Sequence, residues 1–218
     1  MNKLYIVATP IGNLEDITFR AIRILKEVDL IACEDTRQTV KLLNKYEIKN
    51  KLVSYHQHSK VQKIDYLITQ LTAGNSIALV SDAGTPGISD PGSKLISEAI
   101  NNNIEVIPIP GPSALITALS GAGVDTSKFV YYGFMPHKKG RETLFKQIKK
   151  EEQTVVFYES CHRIIKTLES LKDCGKQIVI ARELTKIYEE FLRGTALELI
   201  KILEKDKNKL KGEMVVII

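Results

Sequence analysis

Cysteine is scarce in this sequence: Cys33, Cys161 and Cys174 lie far apart and outside any Cys-x-x-Cys or Cys/His cluster. An odd, scattered set excludes a disulfide framework and a zinc site of the usual spacing, and it implies a reducing cytoplasm. Long apolar runs are missing as well. Leu4-Tyr5-Ile6-Val7-Ala8 is too short for a secretory core and is soon followed by Asn13, Glu15 and Asp16. The one long uncharged span, Val106 to Val124, is broken by Pro108, Pro110, Gly111, Pro112, Gly121 and Gly123, so no membrane-crossing helix is expected there. Neither Gly-x-Gly-x-x-Gly nor the P-loop Gly-Lys-Ser/Thr occurs, which excludes the two commonest phosphate-binding glycine fingerprints.

What is present is an ordinary soluble composition, 44% hydrophobic and 26% charged. At 218 residues the chain can bury a sizeable core as one large domain or two small ones. Its net charge of +5 is unevenly spread: residues 1–127 hold 12 Lys and Arg against 13 Asp and Glu, whereas residues 128–218 hold 19 against 13. The excess gathers in Lys138-Lys139-Gly140-Arg141, Lys146, Lys149-Lys150 and the lysines from 205 to 211. That asymmetry points to a polyanion, nucleic acid before membrane, or else to a solvated lysine surface.

The most distinctive stretch runs from Val80 to Gly92, with three glycines, two prolines and two aspartates between the apolar run Ile77 to Val80 and a helical pattern from Ser93 to Ile100. Such a stretch cannot pack a core. Its length exceeds the usual strand-to-helix connection of about 2–6 residues, and its position past a strand's carboxyl end is where α/β proteins bind ligands. A similar strand and glycine turn opens the chain, Leu4 to Ala8 followed by Thr9 to Leu14, with Asp16 expected to cap the next helix.

Further strands are expected at Leu30–Cys33, Leu52–Tyr55 and Ile104–Ile107. Glu34-Asp35-Thr36-Arg37 after the first of these reads either as polar recognition or as a helix cap by Asp35 or Thr36. His56-Gln57-His58 reads as a polar loop, with His56 a candidate RNA or substrate contact. Three prolines between Pro108 and Pro112 mark a stiff crossing, and Ser113 is placed to cap a helix from Ala114. The alternating first half implies a mostly parallel sheet with helices on its faces, and the domain limits are set at 1–111 and 112–218.

In the second half, strands are expected at Phe129–Phe134, Thr154–Tyr158, Gln177–Ala181, Tyr188–Leu192 and Met214–Ile218, with helices at 141–150, 162–171 and 196–204. The short step from Ala181 to Leu192 suits an antiparallel pair, so a mixed sheet is expected. Two strand ends carry polar clusters, Glu159-Ser160-Cys161-His162-Arg163 and Arg182-Glu183-Leu184-Thr185-Lys186. Capping by Ser160 or a surface Arg182–Glu183 pair would explain them; a shared cleft would explain both.

Taken together, Ala8 to Leu14, Glu34 to Arg37, Ser81 to Gly92, Pro108 to Ala114, Glu159 to Arg163 and Ala181 to Lys186 stand in the order and spacing of one family. Over nearly its whole length the chain resembles the small-subunit rRNA (cytidine-2'-O)-methyltransferases, the methyltransferase I branch of the tetrapyrrole methylase superfamily. The resemblance implies two α/β domains with a cofactor cleft between them, S-adenosyl-L-methionine as methyl donor, a cytidine ribose in the decoding region of 16S rRNA as acceptor, a homodimer, and no membrane. Carried over by position, cofactor contacts fall on Ile11, Asp82, Ala83, Gly84, Thr85, Ile88, Ser113, Ala114, Tyr158, Glu159 and Leu184. Cys161 stands where the family usually has proline. The family's small helical domain past Lys211-Gly212-Glu213 is expected to be absent, which bears on rRNA affinity.

A ribose hydroxyl needs a base within hydrogen-bond reach. Glu34, Asp35 and Glu183 are the candidates, with Arg37, Arg182 and Lys186 holding phosphate or an anionic oxygen; carboxylates beside arginines would be weak bases and better orienting groups. Two other readings keep the fold: methylation of a small tetrapyrrole, which needs no basic approach surface, and a non-catalytic rRNA-binding factor.

Overall fold

The computed structural model describes residues 2–56 and 61–218. They form two compact units, Met1–Ser113 and Ala114–Ile218. Gln57 and His58 of the histidine loop lie outside the described residues.

In the first unit β1 (Lys3–Val7), β2 (Leu30–Cys33), β3 (Leu52–Ser54), β4 (Ile77–Val80) and β5 (Glu105–Ile109) pair in the order β3-β2-β4-β1-β5, every pairing parallel. Four helices connect them: α1 (Phe19–Glu27), α2 (Thr36–Lys45), α3 (Val61–Thr72) and α4 (Ser93–Asn101). β2 and β4 are apolar and buried at every position, because a parallel strand inside such a sheet is covered on both faces. Val7, Ile31, Cys33, Ala78 and Val80 pack with α1 and α2, while Leu4, Ile6, Ala32, Ile77 and Leu79 pack with α3 and α4. The handedness of crossovers explains this division. The steps from β1 to β2 and on to β3 run one way along the sheet and those from β3 to β4 to β5 the other, so right-handed connections must lie on opposite faces.

Two local expectations are corrected. Thr18, not Asp16, caps α1: its hydroxyl accepts from the Ala21 N–H at 3.1 Å, and Asp16 closes a 3₁₀ turn before it. Pro108 belongs to β5 rather than to the crossing. β5 is the sheet's edge, where a residue without an N–H is tolerated.

In the second unit β6 (Phe129–Phe134), β7 (Thr154–Ser160), β8 (Ile178–Arg182), β9 (Glu190–Gly194) and β10 (Glu213–Ile217) pair in the order β6-β7-β10-β8-β9. Only β6 and β7 run parallel, so the sheet is mixed as the spacing of β8 and β9 implies. Helices α6 (Arg141–Lys150), α7 (Ile164–Leu171) and α8 (Ala196–Lys205) supply Phe145, Ile148, Leu168, Leu171, Leu199 and Leu203 to the core over Phe157, Ile180 and Val216. A further helix, α5 (Ala114–Ala122), packs on β8 and β10; Arg193 donates to the Gly121 and Ala122 carbonyls at its carboxyl end. Since β6, β7 and β8 point the same way, their carboxyl ends share one sheet edge with the start of β10.

Candidate active site

In the first unit every strand ends at the same edge, so the segments following β1, β2, β4 and β5 gather there. β1 and β4 are neighbours whose outgoing connections leave on opposite faces, the switch point at which α/β sheets open a crevice. Reciprocal backbone hydrogen bonds between Thr9 and Gly84, 2.9 Å each, lace the two loops together, and the buried Thr9 hydroxyl donates to the Ser81 carbonyl at 3.0 Å. Thr85 Oγ1 donates to the Pro112 carbonyl at 3.2 Å, tying in the segment that holds Ser113. Ile11 and Gly84 are buried, Asp82, Ala83 and Ile88 exposed, and Thr85 and Ser113 half-buried. Ala114 begins α5 in the second unit.

The long central loop depends on glycine at defined points. Gly84 (φ +81°) would direct a Cβ at Ile11 Cγ2, 3.6 Å away. Gly92 (φ +152°) would place one 3.1 Å from the Gly87 backbone nitrogen and 3.2 Å from Leu79. Gly92→Ala is therefore expected to cost about 1–3 kcal/mol and to open residues 82–91 to cleavage, read by urea unfolding and limited proteolysis.

Four carboxylates converge beside this loop. Asp35 caps α2, accepting from the Arg37 N–H at 2.8 Å, and holds the Arg37 guanidinium at 2.6 Å. Those hydrogen bonds pull its carboxyl down to about 2. Of the two readings of this motif, the structure displays the cap, with Arg37 engaged by Asp35. The Asp35 N–H in turn donates to Asp82 Oδ1 at 3.0 Å. Glu34 is different: burial, and then the charge of Asp82, push its carboxyl up. Asp90 is pushed up to about 6 by burial and then by the charge of Glu34, against a hydrogen bond from Ser81. Asp90 was not among the residues singled out from sequence; its place just before Pro91-Gly92 in the same loop was the available signal. His56, exposed, lies at 3.1 Å from the Ser54 hydroxyl, and its charge acts to lower Glu34.

In the second unit the candidate segments share the edge formed by β6, β7 and β8. Tyr158 is half-buried, with its ring 5.5 Å from Tyr131 and 5.1 Å from Phe134. The Glu159 side chain is wholly buried and its oxygens are filled by Arg141 (2.7 Å), Arg163 (2.7 Å), Thr167 Oγ1 (2.6 Å) and the Ser160 N–H (2.8 Å). Burial opposes its charge, but the bonds from Thr167, Arg141, Arg163 and Ser160 outweigh that and hold its carboxyl below the ordinary value. What Glu159 has left for a ligand is backbone.

Arg182 is buried too, and it is no surface partner of Glu183. Its guanidinium donates to the Tyr188, Asn208 and Lys211 carbonyls at 3.3 Å each and pairs with Glu190 at 3.4 Å, while Nε has no partner among the described residues. Glu183 accepts from Lys186 Nζ at 3.0 Å and from the Glu213 N–H at 3.2 Å; burial opposes its charge, yet these bonds hold its carboxyl down. Lys186 also pairs with Glu213 at 2.7 Å. Leu184 is buried between Glu183 and Thr185, both of which have positive φ. Of the three candidate bases, Glu34 alone is held above its ordinary value.

The family model described as Tetrapyrrole (Corrin/Porphyrin) Methylases matches residues 3–200. The chain belongs to that family. This methylase is 52% identical over 218 residues to the ribosomal RNA small subunit methyltransferase I of Halalkalibacterium halodurans, covering 99% of this chain and 75% of that one. With the protein of the same name from Thermotoga maritima it shares 47% identity over 100% of this chain and 98% of the relative. Curated relatives of both lengths thus carry one name. Among solved structures, diphthine synthase aligns with a TM-score of 0.76 at 15% identity, covering 99% of this chain and 89% of that one. Cobalt precorrin-4 methyltransferase gives 0.72 at 16%, covering 99% and 94%. At that identity the likeness shows the fold, two α/β sheets of the tetrapyrrole methylase type.

Proposed function

We propose that this chain transfers a methyl group from S-adenosyl-L-methionine to the 2'-oxygen of a cytidine in the decoding region of 16S rRNA. The observation that carries the reading is 52% identity along 99% of the chain with a relative named for the small ribosomal subunit. The excess of basic residues after position 127 supports a polyanionic acceptor over a compact one.

The first unit's residues suit the cofactor chemically. Asp82 offers a carboxylate to an ammonium or to ribose hydroxyls, Ile11 and Ile88 offer apolar surface, and Gly84 adds no side chain beside Ile11. Asp82, Ala83, Gly84 and Thr85 would hold it, with Ile11 and Ile88 beside them. Bound there, S-adenosylmethionine supplies a methyl group already activated on a sulfonium. The protein's own task is to orient the acceptor and remove its proton, and orientation of this kind contributes up to roughly 7–11 kcal/mol. Glu34 is the base: it accepts the 2'-hydroxyl proton, and its raised affinity for a proton suits that step better than Asp35 or Glu183, both of which are neutralised by cations. Burial, and then the charge of Asp82, keep the charge on Glu34 costly and so keep it basic.

The test is transfer of labelled methyl from S-adenosylmethionine to small subunits lacking the modification, followed by mapping of the nucleotide. Label on a decoding-region cytidine 2'-oxygen is the expected result. Absence of transfer with cofactor binding intact would reject the reaction and favour a binding factor.

A further inference from the structure

We propose that the carboxyl-terminal edge of β6 and β7 is a platform for a single-stranded stretch of the RNA substrate: a base stacks on Phe134, and the following phosphates meet Lys138 and Lys139. The proposal rests on the rRNA reading above and names the surface of this chain that serves it.

Three observations converge on this edge. The first is an aromatic ledge. Tyr131 pairs with Val156 but Phe134 with Tyr158, so β6 carries one residue more than β7 across this interval, and Gly133 (φ +64°) accommodates the bulge. Tyr132 and Met135 therefore face the core, whereas Tyr131 and Phe134 both come to the other side, beside Tyr158. Phe134 is 61% exposed in a chain with only 6% aromatic residues. A single exposed apolar side chain needs no explanation, but one leaning 5.1 Å from a second ring, itself 5.5 Å from a third, is a braced π-surface.

The second observation is a preset basic loop directly after the ledge. Arg141 donates to the Pro136 carbonyl at 3.0 Å and to Glu159 at 2.7 Å, and Arg163 donates to His137 Nδ1 at 2.5 Å while pairing with the same buried Glu159. Both ends of the loop are thus pinned through one carboxylate. Between them Lys138 and Lys139 are exposed, and among the described residues no ion pair engages either. The third is composition. Lysines are depleted from the cores of protein interfaces, and no broad apolar face accompanies them for a membrane; one exposed ring beside fixed cations is how unpaired bases and their phosphates are held. Glu159 acts here as a positioning residue, through the arginines.

The experiment measures binding of a fluorescein-labelled single-stranded oligoribonucleotide over a range of salt, separately from methyl transfer. Phe134→Ala is expected to weaken binding about tenfold, with Phe134→Tyr close to wild type. Lys138→Ala with Lys139→Ala should reduce the slope of log affinity against log salt by about 1.4, and leave cofactor affinity as it was. If the wild type methylates small subunits while these variants bind and react as it does, the platform is wrong and the reaction stands. If the wild type is inert but binds RNA with the Phe134 and salt dependence described, the platform stands and the reaction falls. An RNA affinity indifferent to all three side chains, or a Phe134-dependent affinity for anionic vesicles in place of RNA, overturns it.

Discussion

Glu34→Gln is expected to lower kcat for methyl transfer by about 10²–10⁴-fold without destabilising the protein. The two halves of this expectation have one cause. Burial and the neighbouring Asp82 raise the Glu34 carboxyl, so the folded chain holds a proton there more tightly than the unfolded one, and a charge at that position costs stability at neutral pH. Glutamine removes the charge and keeps the shape, leaving stability equal or higher while abolishing the proton acceptor; a side chain whose loss costs activity but not stability is there for function.

The same cluster sets the pH dependence. A base must be ionised, so kcat/KM should fall as pH drops through the titration of Glu34, which burial and the charge of Asp82 place above the ordinary carboxylate value. Asp82 and Asp35 raise Glu34 and His56 lowers it; Asp90 is raised to about 6 by burial and then by Glu34 and Asp82, against Ser81. Asp82→Asn removes the like charge that raises Glu34 and, read at saturating cofactor, should move the acid limb to lower pH. A limb that stays in place in Asp82→Asn, or full turnover in Glu34→Gln, would remove Glu34 from the role.

The first sheet was legible in the sequence because a parallel strand buried on both faces leaves an unbroken apolar run. Ile77 to Val80 and Leu30 to Cys33 are such runs, and their ends matched the observed strands. The second sheet's edge strand was less so: β9 begins at Glu190, two residues after the expected Tyr188, because Lys186 to Glu189 form the turn from β8. Polar residues were harder still. Their identity named the candidates, but which carboxylate is spent on a partner is a matter of distances between residues far apart in sequence. Asp35 meets its arginine two positions on, a pairing readable from the chain; Glu183 meets Glu213 and Arg182 meets Asn208 and Lys211, which are not. Asp90 owes its shift first to burial and then to Glu34, 56 positions earlier in the chain, and nothing local announces either.

Glu159→Ala is expected to destabilise the protein by about 3–5 kcal/mol, which for a chain of this size lowers the melting temperature by roughly 10 °C or more. The loss is larger than that of a surface ion pair because the carboxylate is fully buried and its two arginines are only 14% and 18% exposed, so removing it strands two charges that water reaches poorly. Acid should imitate the mutation. The carboxyl is held below its ordinary value, so its contribution is complete above about pH 4.5 and is lost as pH falls through the lower value it has in the folded chain. Replacing the whole set, Glu159→Leu with Arg141→Met and Arg163→Met, should recover most of the stability, since apolar side chains of similar size commonly substitute for a buried ion cluster and Thr167 keeps its bond to the Arg163 carbonyl. It should not recover RNA binding, because Pro136 to Arg141 would have lost both pins. Tyrosine circular dichroism through unfolding, together with the RNA titration, separates the two effects: a triple variant that is stable and binds RNA as wild type would confine Glu159 to the core, and one that is stable and binds poorly assigns it the task of holding the loop.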